Sequence, residues 1–195
     1  MAYLCALQPA TASSAEKYTP NDLQLVIRLA NAGRAGAQYT LARMYMSGRG
    51  VDRNDQLALH WLQKAAAQNH GPSQNQLGLL YLSGTGVNMD CQTAEHWFSS
   101  VNEKSDIFPQ AQSNLAWVLA TCPQESARDG QRALSIMQQL LADNRRDNPN
   151  LLDTLAAAFA ETGQFQQAIA TQQRAIALLQ RQPSSPHQKA RFTAR

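Results

Sequence analysis

The stretches YMSGRGVD (Tyr45–Asp52) and YLSGTGVN (Tyr81–Asn88) carry one pattern twice, 36 positions apart. A glycine-rich loop can hold a phosphate group, but such a loop follows a strand and occurs once per site. A turn that recurs at a fixed distance indicates a repeated structural unit instead. Because glycine adopts positive φ at little cost where a helix ends, we interpret both stretches as turns between helices.

The repetition extends over a whole unit of the chain. Before the turn, apolar residues such as Leu41, Met44 and Tyr45 follow the i, i+3, i+4 spacing of an amphipathic helix, and the residues after it do so again. Each unit is therefore predicted to be a helix, a glycine turn and a second helix. The residues that recur 36 positions later are Leu41, Tyr45, Gly48, Gly50, Val51, Ala58, His60 and Trp61, as Leu77, Tyr81, Gly84, Gly86, Val87, Ala94, His96 and Trp97.

Altered copies of the unit lie on both sides of the two regular ones. Residues 111–143 read as a third unit, whose first helix ends at Pro123 and which lacks the Gly-x-Gly turn. Residues 148–180 read as a shorter fourth unit, and residues 20–33 as the second helix of a partial unit upstream. The chain is thus predicted to be an all-α array of helix pairs.

The two regular units resemble Sel1-like repeats, in which Ala-x3-Leu-Gly-x2-Tyr precedes Gly-x-Gly-Val, Ala-x2-Trp and a closing Ala-Ala. Ala42 stands at the usual glycine of the first unit, and the second unit ends in SSVNEK. The resemblance covers roughly residues 20 to 180 and implies a right-handed superhelical solenoid whose concave surface suits extended partners. The fourth unit resembles a tetratricopeptide repeat through Leu155, Ala156, Phe159, Gly163, Ala168 and Ala175.

Three segments follow from this reading. Residues 1–19 form a leader, residues 20–182 the solenoid, and residues 183–195 a basic tail whose Pro/Ser content predicts disorder. The leader is apolar and ends in Ser13-Ser14-Ala15, like a signal-peptidase site, but lacks the basic region of a signal peptide. A signal-peptide remnant and a disordered leader are both open interpretations.

The composition argues against nucleic-acid and membrane partners. The 195 residues carry a net charge of +3 and no Lys/Arg run longer than Arg145-Arg146, whereas nucleic-acid binding favours a clustered basic stripe. No apolar run approaches the roughly 18 residues of a membrane helix. We therefore expect neither a nucleic-acid partner nor a membrane span.

No pattern of ionisable residues predicts an enzyme, a metal site or a cofactor. His60 and His96 each precede a tryptophan, but neighbouring helices lie about 8–10 Å apart, too far for both rings to share one ion. We interpret these histidines as solvated and the adjacent Trp61 and Trp97 as packing residues. Asp and Glu scatter through caps and turns, without the converging nucleophile and base that catalysis needs.

The inner face of the first helices is the candidate binding surface. Positions two before and two after the repeated leucine, with others one turn further, are expected to point into the concave groove, although some of them can pack against neighbouring helices instead. Their mixture of aromatic, aliphatic and polar side chains is typical of an interface hot spot. The predicted partner-binding residues are Tyr39, Arg43, Met46, Asn75, Leu79, Leu82, Ser113, Trp117 and Asp153.

These observations favour a non-catalytic scaffold or adaptor that binds a protein or peptide in the groove. An envelope factor that binds a polymer such as glycan or peptidoglycan is the alternative, and the sequence leaves the oligomeric state open. The resemblance suggests a bacterial cell-envelope setting, so a periplasmic or secreted location is favoured over a cytoplasmic one.

The cysteines bear on the same question of location. Cys91 opens the second helix of the second unit and Cys122 closes the first helix of the third, and these two ends are neighbours in a helix-pair solenoid. Their Cα atoms are therefore expected near the distance that a disulfide requires, and such a bridge persists in an oxidising compartment. Packing alone also explains cysteines at helix ends, so both interpretations remain open, and Cys5 is left over.

Overall fold

The structure is a computed structural model that describes residues 20–142 and 148–181. The predicted leader, Cys5 and the predicted tail over 183–195 lie outside the described residues. Within the described ranges the chain forms nine α-helices, one short 3-10 helix and no strand. The helices are α1 (Pro20–Asn31), α2 (Ala35–Ser47), α3 (Asp55–Ala66), α4 (Gly71–Ser83), α5 (Cys91–Ser99), α6 (Phe108–Thr121), α7 (Gly130–Ala142), α8 (Pro149–Glu161) and α9 (Phe165–Arg181), and the 3-10 helix spans Glu125–Ala127.

Side-chain caps fix where several of these helices begin. The Asn54 side chain accepts a hydrogen bond from the Leu57 backbone N–H at the start of α3. Asp90, 36 positions later, accepts from the backbone N–H groups of Gln92 and Thr93 at the start of α5. Such caps satisfy helix donors that have no partner within the helix itself. The two regular units therefore share the position of a capping residue as well as the positions of their buried residues.

The glycine turns have the same geometry in both regular units. Gly48 and Gly84 end α2 and α4 with φ of 69° and 70°, and their N–H groups donate to the carbonyls of Met44 and Leu80. A residue with a Cβ adopts this left-handed conformation only at a cost. The interpretation of the two stretches as helix-ending turns is confirmed.

The helices pack in sequential pairs, each pair against the next. α2 packs on α3, α4 on α5, α6 on α7 and α8 on α9, while α1 precedes them and contacts α2. The second helix of each pair also contacts the first helix of the following pair, and α6 contacts α8 directly. The predicted all-α array of helix pairs is confirmed.

The core is divided along the array, as expected where each unit buries surface only against its neighbours. One cluster of buried residues joins α2, α3 and α4, and includes Ala42, Leu62 and Leu77. A larger cluster joins α5, α6, α7 and α8 around Phe98 and Met137. A third cluster, Leu152, Ala175 and Leu179, joins α8 to α9.

A disulfide joins the second unit to the third. Cys91, the first residue of α5, is bonded to Cys122, which directly follows α6, with a Cα–Cα distance of 6.3 Å. Both side chains are buried. The Gln124 side-chain oxygen accepts a hydrogen bond from the Cys91 backbone N–H at 3.3 Å, so the loop after α6 also holds the start of α5.

The third unit replaces the glycine turn with a longer loop that makes its own contacts. The Asp129 backbone N–H donates to the Leu119 carbonyl at 2.9 Å, which folds the loop back on α6. The Arg128 side chain donates to the Cys122 carbonyl and to the carboxylate of Glu161 at the end of α8. The loop thereby ties the third unit to the fourth.

Candidate binding surface

The first helices of the four units, α2, α4, α6 and α8, form what we call the first-helix face. All nine predicted partner-binding residues lie on these helices. Arg43 is exposed, and five others are half-buried: Tyr39, Met46, Leu79, Leu82 and Trp117. The remaining three residues are buried.

The buried three, Asn75, Ser113 and Asp153, differ from the expected exposure. They are only 7%, 8% and 5% exposed. Each stands two positions before the repeated leucine, where the side chain turns toward a neighbouring helix. Residues two positions after that leucine remain accessible, whereas in the row two positions before it only Tyr39 does.

Hydrogen bonds explain two of these burials. The Asn114 side-chain amide donates to Asn75 Oδ1 at 2.9 Å and joins α6 to α4. Gln172 Nε2 donates to Asp153 Oδ1 at 3.2 Å and joins α9 to α8. Buried polar groups of this kind are normally satisfied by a partner inside the protein. Asn75 and Asp153 therefore hold neighbouring helices together.

An apolar strip remains accessible in the middle of the first-helix face. Leu79 and Leu82 on α4 are half-buried and pack against the large core cluster. Trp117 on α6 is half-buried as well. We call these three residues the apolar strip, and its two leucines combine a position fixed by the core with accessible apolar surface. Such a combination suits an anchor for a partner.

The first-helix face also contains a cavity, which is lined by α2, the turn that follows it and Gln76 of α4. Its volume is about 330 Å³, and it contains two of the predicted residues, Arg43 and Met46. Nearer the start of α4 the two helices are connected, because the Tyr39 ring lies 5.2 Å from the His70 ring. The lining residues are Thr40, Arg43, Met44, Met46, Ser47, Arg49 and Gln76.

The cavity is basic. Arg43 and Arg49 form no ion pair with a carboxylate within the described residues. The hydroxyls of Thr40 and Ser47 donate to backbone carbonyls of α2 at 2.8 Å, so their protons are already engaged. The two guanidinium groups therefore supply the main donors for a bound group.

Sequence reasoning missed Arg49 as a site residue. It stands between Gly48 and Gly50 and was interpreted only as part of a turn. The equivalent residue of the second unit is Thr85, so the residue between the two glycines differs between the turns. The signal that was available is the charged residue between the two glycines of a turn whose geometry both units share.

The titratable groups outside the cavity make structural contacts and do not form a catalytic or metal-binding arrangement in the described residues. His60 and His96 are exposed, and each ring makes an edge contact with the following tryptophan. Burial lowers the pKa of His70, and the hydrogen bonds that Thr93 and then Gln92 donate lower the pKa of the Asp90 carboxyl. Across the described part of the chain, no three His, Cys, Asp or Glu side chains gather in a metal-binding arrangement.

Two helix pairs of the structure match a known family of repeats. Residues 35–70, which contain α2 and α3, and residues 71–100, which contain α4 and α5, match the family model described as Sel1 repeat. Residues 35–100 of the chain therefore form two Sel1 repeats. The crystal structure of a Sel1 repeat protein from Oxalobacter formigenes superposes with a TM-score of 0.64 at 20% identity, over 89% of this chain and 76% of that one.

Two further proteins are similar to parts of this chain. The protective antigen c5321 of uropathogenic Escherichia coli strains, which displays an SLR fold, gives a TM-score of 0.61 at 24% identity. That match covers 78% of this chain and 32% of the antigen. The chitin synthase regulator SKT5 of Saccharomyces cerevisiae is 42% identical over 64 residues, which are 33% of this chain and 9% of the regulator. The chain therefore spans a small part of that relative, and the structural likenesses show the fold.

Each of the two Sel1 repeats contains one helix pair of the solenoid, α2 with α3 in the first and α4 with α5 in the second. None of the helices in the described ranges is both long and apolar enough to cross a membrane. Sel1 repeats generally serve as a non-catalytic scaffold, and repeat domains commonly mediate protein interactions.

Proposed function

We propose that this protein is a non-catalytic scaffold that binds a protein partner along its first-helix face. The observation that carries the proposal is the accessible apolar strip, Leu79, Leu82 and Trp117, whose two leucines pack against the core beneath them. Interfaces concentrate their binding energy in such pre-positioned aromatic and aliphatic anchors.

The architecture supports an extended partner rather than a compact ligand. The strip lies on α4 and α6, in two units of the array, and the cavity lies on the same face and is lined by α2 of the first unit and by Gln76 of α4. A solenoid offers a long surface of this kind without enclosing a substrate. The relative SKT5 is a regulator of chitin synthase, and acting on another protein is compatible with a binding role.

Photo-crosslinking in cells of the natural host tests the proposal. Benzoylphenylalanine is introduced at Gln76 or Ala157 on the first-helix face, or at His60 or His96 on the second helices as matched controls. All four are accessible or half-buried. We expect discrete crosslinked products from the first two positions and none of the same products from the controls.

Crosslinks that form only from His60 or His96 would place the binding surface on the second helices and reject the proposal. Crosslinks of equal yield from all four positions would mean that contacts are nonspecific. Both outcomes are read on protein whose circular dichroism matches that of the unmodified chain.

A further inference from the structure

We infer that the cavity between α2 and α4 is a subsite for an acidic side chain of the bound peptide, with an apolar residue next to it. This inference rests on the proposed function and specifies the chemistry of its ligand. It is carried by Arg43 and Arg49, which line one cavity together with Met44 and Met46.

The guanidinium groups are available for a ligand. Other basic residues of the first unit already have partners: Arg53 pairs with Asp55 at 3.1 Å, and the Lys64 ammonium lies over the Trp61 ring. Arg43 lies 5.8 Å from the Tyr39 ring, a contact that leaves the guanidinium edge available. Two guanidinium groups in one cavity match the two oxygens of a carboxylate.

The position of Arg49 is fixed by the glycine turn. Its backbone N–H donates to the Met44 carbonyl at 3.2 Å, and the glycines on either side have φ of 69° and 76°. A second hydrogen bond, from the Asn54 N–H to the Tyr45 carbonyl at 3.0 Å, closes the turn behind it. The backbone of Arg49 is therefore held at the cavity, and only its side chain must be ordered by the ligand.

The charge distribution along the array favours an acidic ligand at this end. Residues 21–70 contain six Arg and Lys against three Asp, whereas residues 71–142 contain three Arg and Lys against six Asp and Glu. An acidic residue is attracted to the first unit and disfavoured along the second and third. Such complementarity also fixes the direction in which a peptide lies.

The same distribution favours a peptide over a polyanion. A nucleic acid or a polyphosphate presents a charge at every unit and needs an extended basic surface. Here the basic cavity is followed by the apolar strip and by an acidic middle region. Methionine side chains in the cavity adapt to apolar groups of different shape. The fitting ligand is an extended peptide with one Asp or Glu followed by apolar residues.

Selection from a phage-displayed library of random dodecapeptides tests the inference on the full chain. We expect the selected peptides to combine Asp or Glu with apolar residues. A synthetic copy of a selected peptide should bind the Arg43→Gln/Arg49→Gln variant at least about tenfold more weakly, as expected for lost charge-assisted hydrogen bonds. Replacing the acidic residue of the peptide by Gln should weaken binding similarly, and the two changes should not add.

The matched control is Arg28→Gln/Arg34→Gln, which removes the same charge from exposed positions of the same region outside the cavity. We expect its affinity to stay within about twofold of wild type, since charges that do not contact the peptide act on it only through longer-range attraction, which salt largely screens. Equal losses in both variants would show general electrostatic attraction and overturn the inference.

The remaining outcomes separate the two proposals. Selected peptides without acidic residues that bind the Arg43→Gln/Arg49→Gln variant normally would overturn the acidic subsite and leave the scaffold function standing. A library that yields no peptide above background would count against the scaffold function itself. A single-stranded oligonucleotide is added as a competitor, and its concentration is counted per negative charge. If it displaces the acidic peptide at a lower concentration of charge than the unlabelled peptide does, the cavity would be assigned to polyanions instead.

Discussion

At the scale of single residues, one position shows how two copies of the repeat differ. Ala42 and Gly78 are equivalent, but a Cβ on Gly78 would lie 2.5 Å from the Phe98 ring. In the first unit the equivalent of Phe98 is Leu62, which shares its cluster with Ala42. The smaller residue on one helix therefore accompanies the larger residue on its partner.

This pairing predicts the effect of Gly78→Ala. Although alanine is the better helix former, the methyl group must displace a fully buried ring, and we expect a loss of about 1–3 kcal/mol in the free energy of unfolding. Adding Phe98→Leu should restore part of the loss by recreating the pair of the first unit. Urea denaturation measures both effects. A Gly78→Ala variant as stable as wild type would mean that α4 and α5 move apart at no cost in free energy, and it would contradict the prediction.

His70 predicts a dependence of stability on pH. Burial lowers its pKa below the ordinary value of 6.5, and its Nδ1 lies 2.9 Å from the Ser73 hydroxyl. The unfolded chain therefore takes up this proton at a higher pH than the folded protein. Stability is fully present above about pH 6.5 and decreases as the pH falls below it.

The test compares urea midpoints at pH 7.5 and pH 5. The difference between them should be smaller in His70→Asn than in wild type, because the titrating ring is removed. His60→Asn, at an exposed ring, should leave the difference unchanged. If His70→Asn retains the whole wild-type difference, the lost stability comes from other groups.

At the scale of helices, the disulfide is the feature with the clearest consequence. Cys91 and Cys122 close a loop with a sequence separation of 31 and join α5 to the end of α6. Loops of this length gain about 3–4 kcal/mol from a crosslink in the chain-entropy description. We expect reduction to lower the free energy of unfolding by about that amount, and Cys5→Ser to leave the oxidised protein unchanged.

Thiol counting tests the bridge itself. Full-length protein from an oxidising compartment should show one titratable thiol under denaturing, non-reducing conditions, that of Cys5. Three titratable thiols would mean that the bridge does not form, and would remove one of the arguments for an envelope location.

Helix periodicity and glycine turns sufficed to predict the helices of the two regular units, because both units repeat the same local signals. Helix periodicity and Pro123 sufficed for the third unit, which lacks the Gly-x-Gly turn. The burial of Asn75 and Asp153 could not be predicted in that way. It depends on hydrogen bonds to residues on other helices, and a single-helix pattern does not contain the spacing between helices. The basic cavity was missed for the same reason, since it is formed by side chains of α2 and of the following turn together with Gln76 of α4.

At the scale of the whole molecule, the fourth unit is predicted to cap the array. α8 contributes Leu151 and Ala158 to the large core cluster, and Glu161 pairs with Arg128 at 3.0 Å. A chain ending at Asn148 would expose the apolar side of the third unit, and terminal units are needed for solubility. We expect this truncation to aggregate in size-exclusion chromatography, whereas a chain ending at Arg181 stays monodisperse. A stable, monodisperse chain ending at Asn148 would contradict a single cooperative array.

The central claim is that the first-helix face binds a partner through the apolar strip. It is tested most directly by the affinity of the crosslinked partner for wild type, for Leu79→Ala/Trp117→Ala, and for Trp97→Ala as a half-buried tryptophan control on a second helix. Anchors of this kind are each worth about 2 kcal/mol or more, so we expect the double variant to lose about a hundredfold or more in affinity. Trp97→Ala should bind as wild type does, with the helical circular dichroism of all three chains preserved at the assay temperature. Unchanged affinity of a folded double variant would contradict the claim.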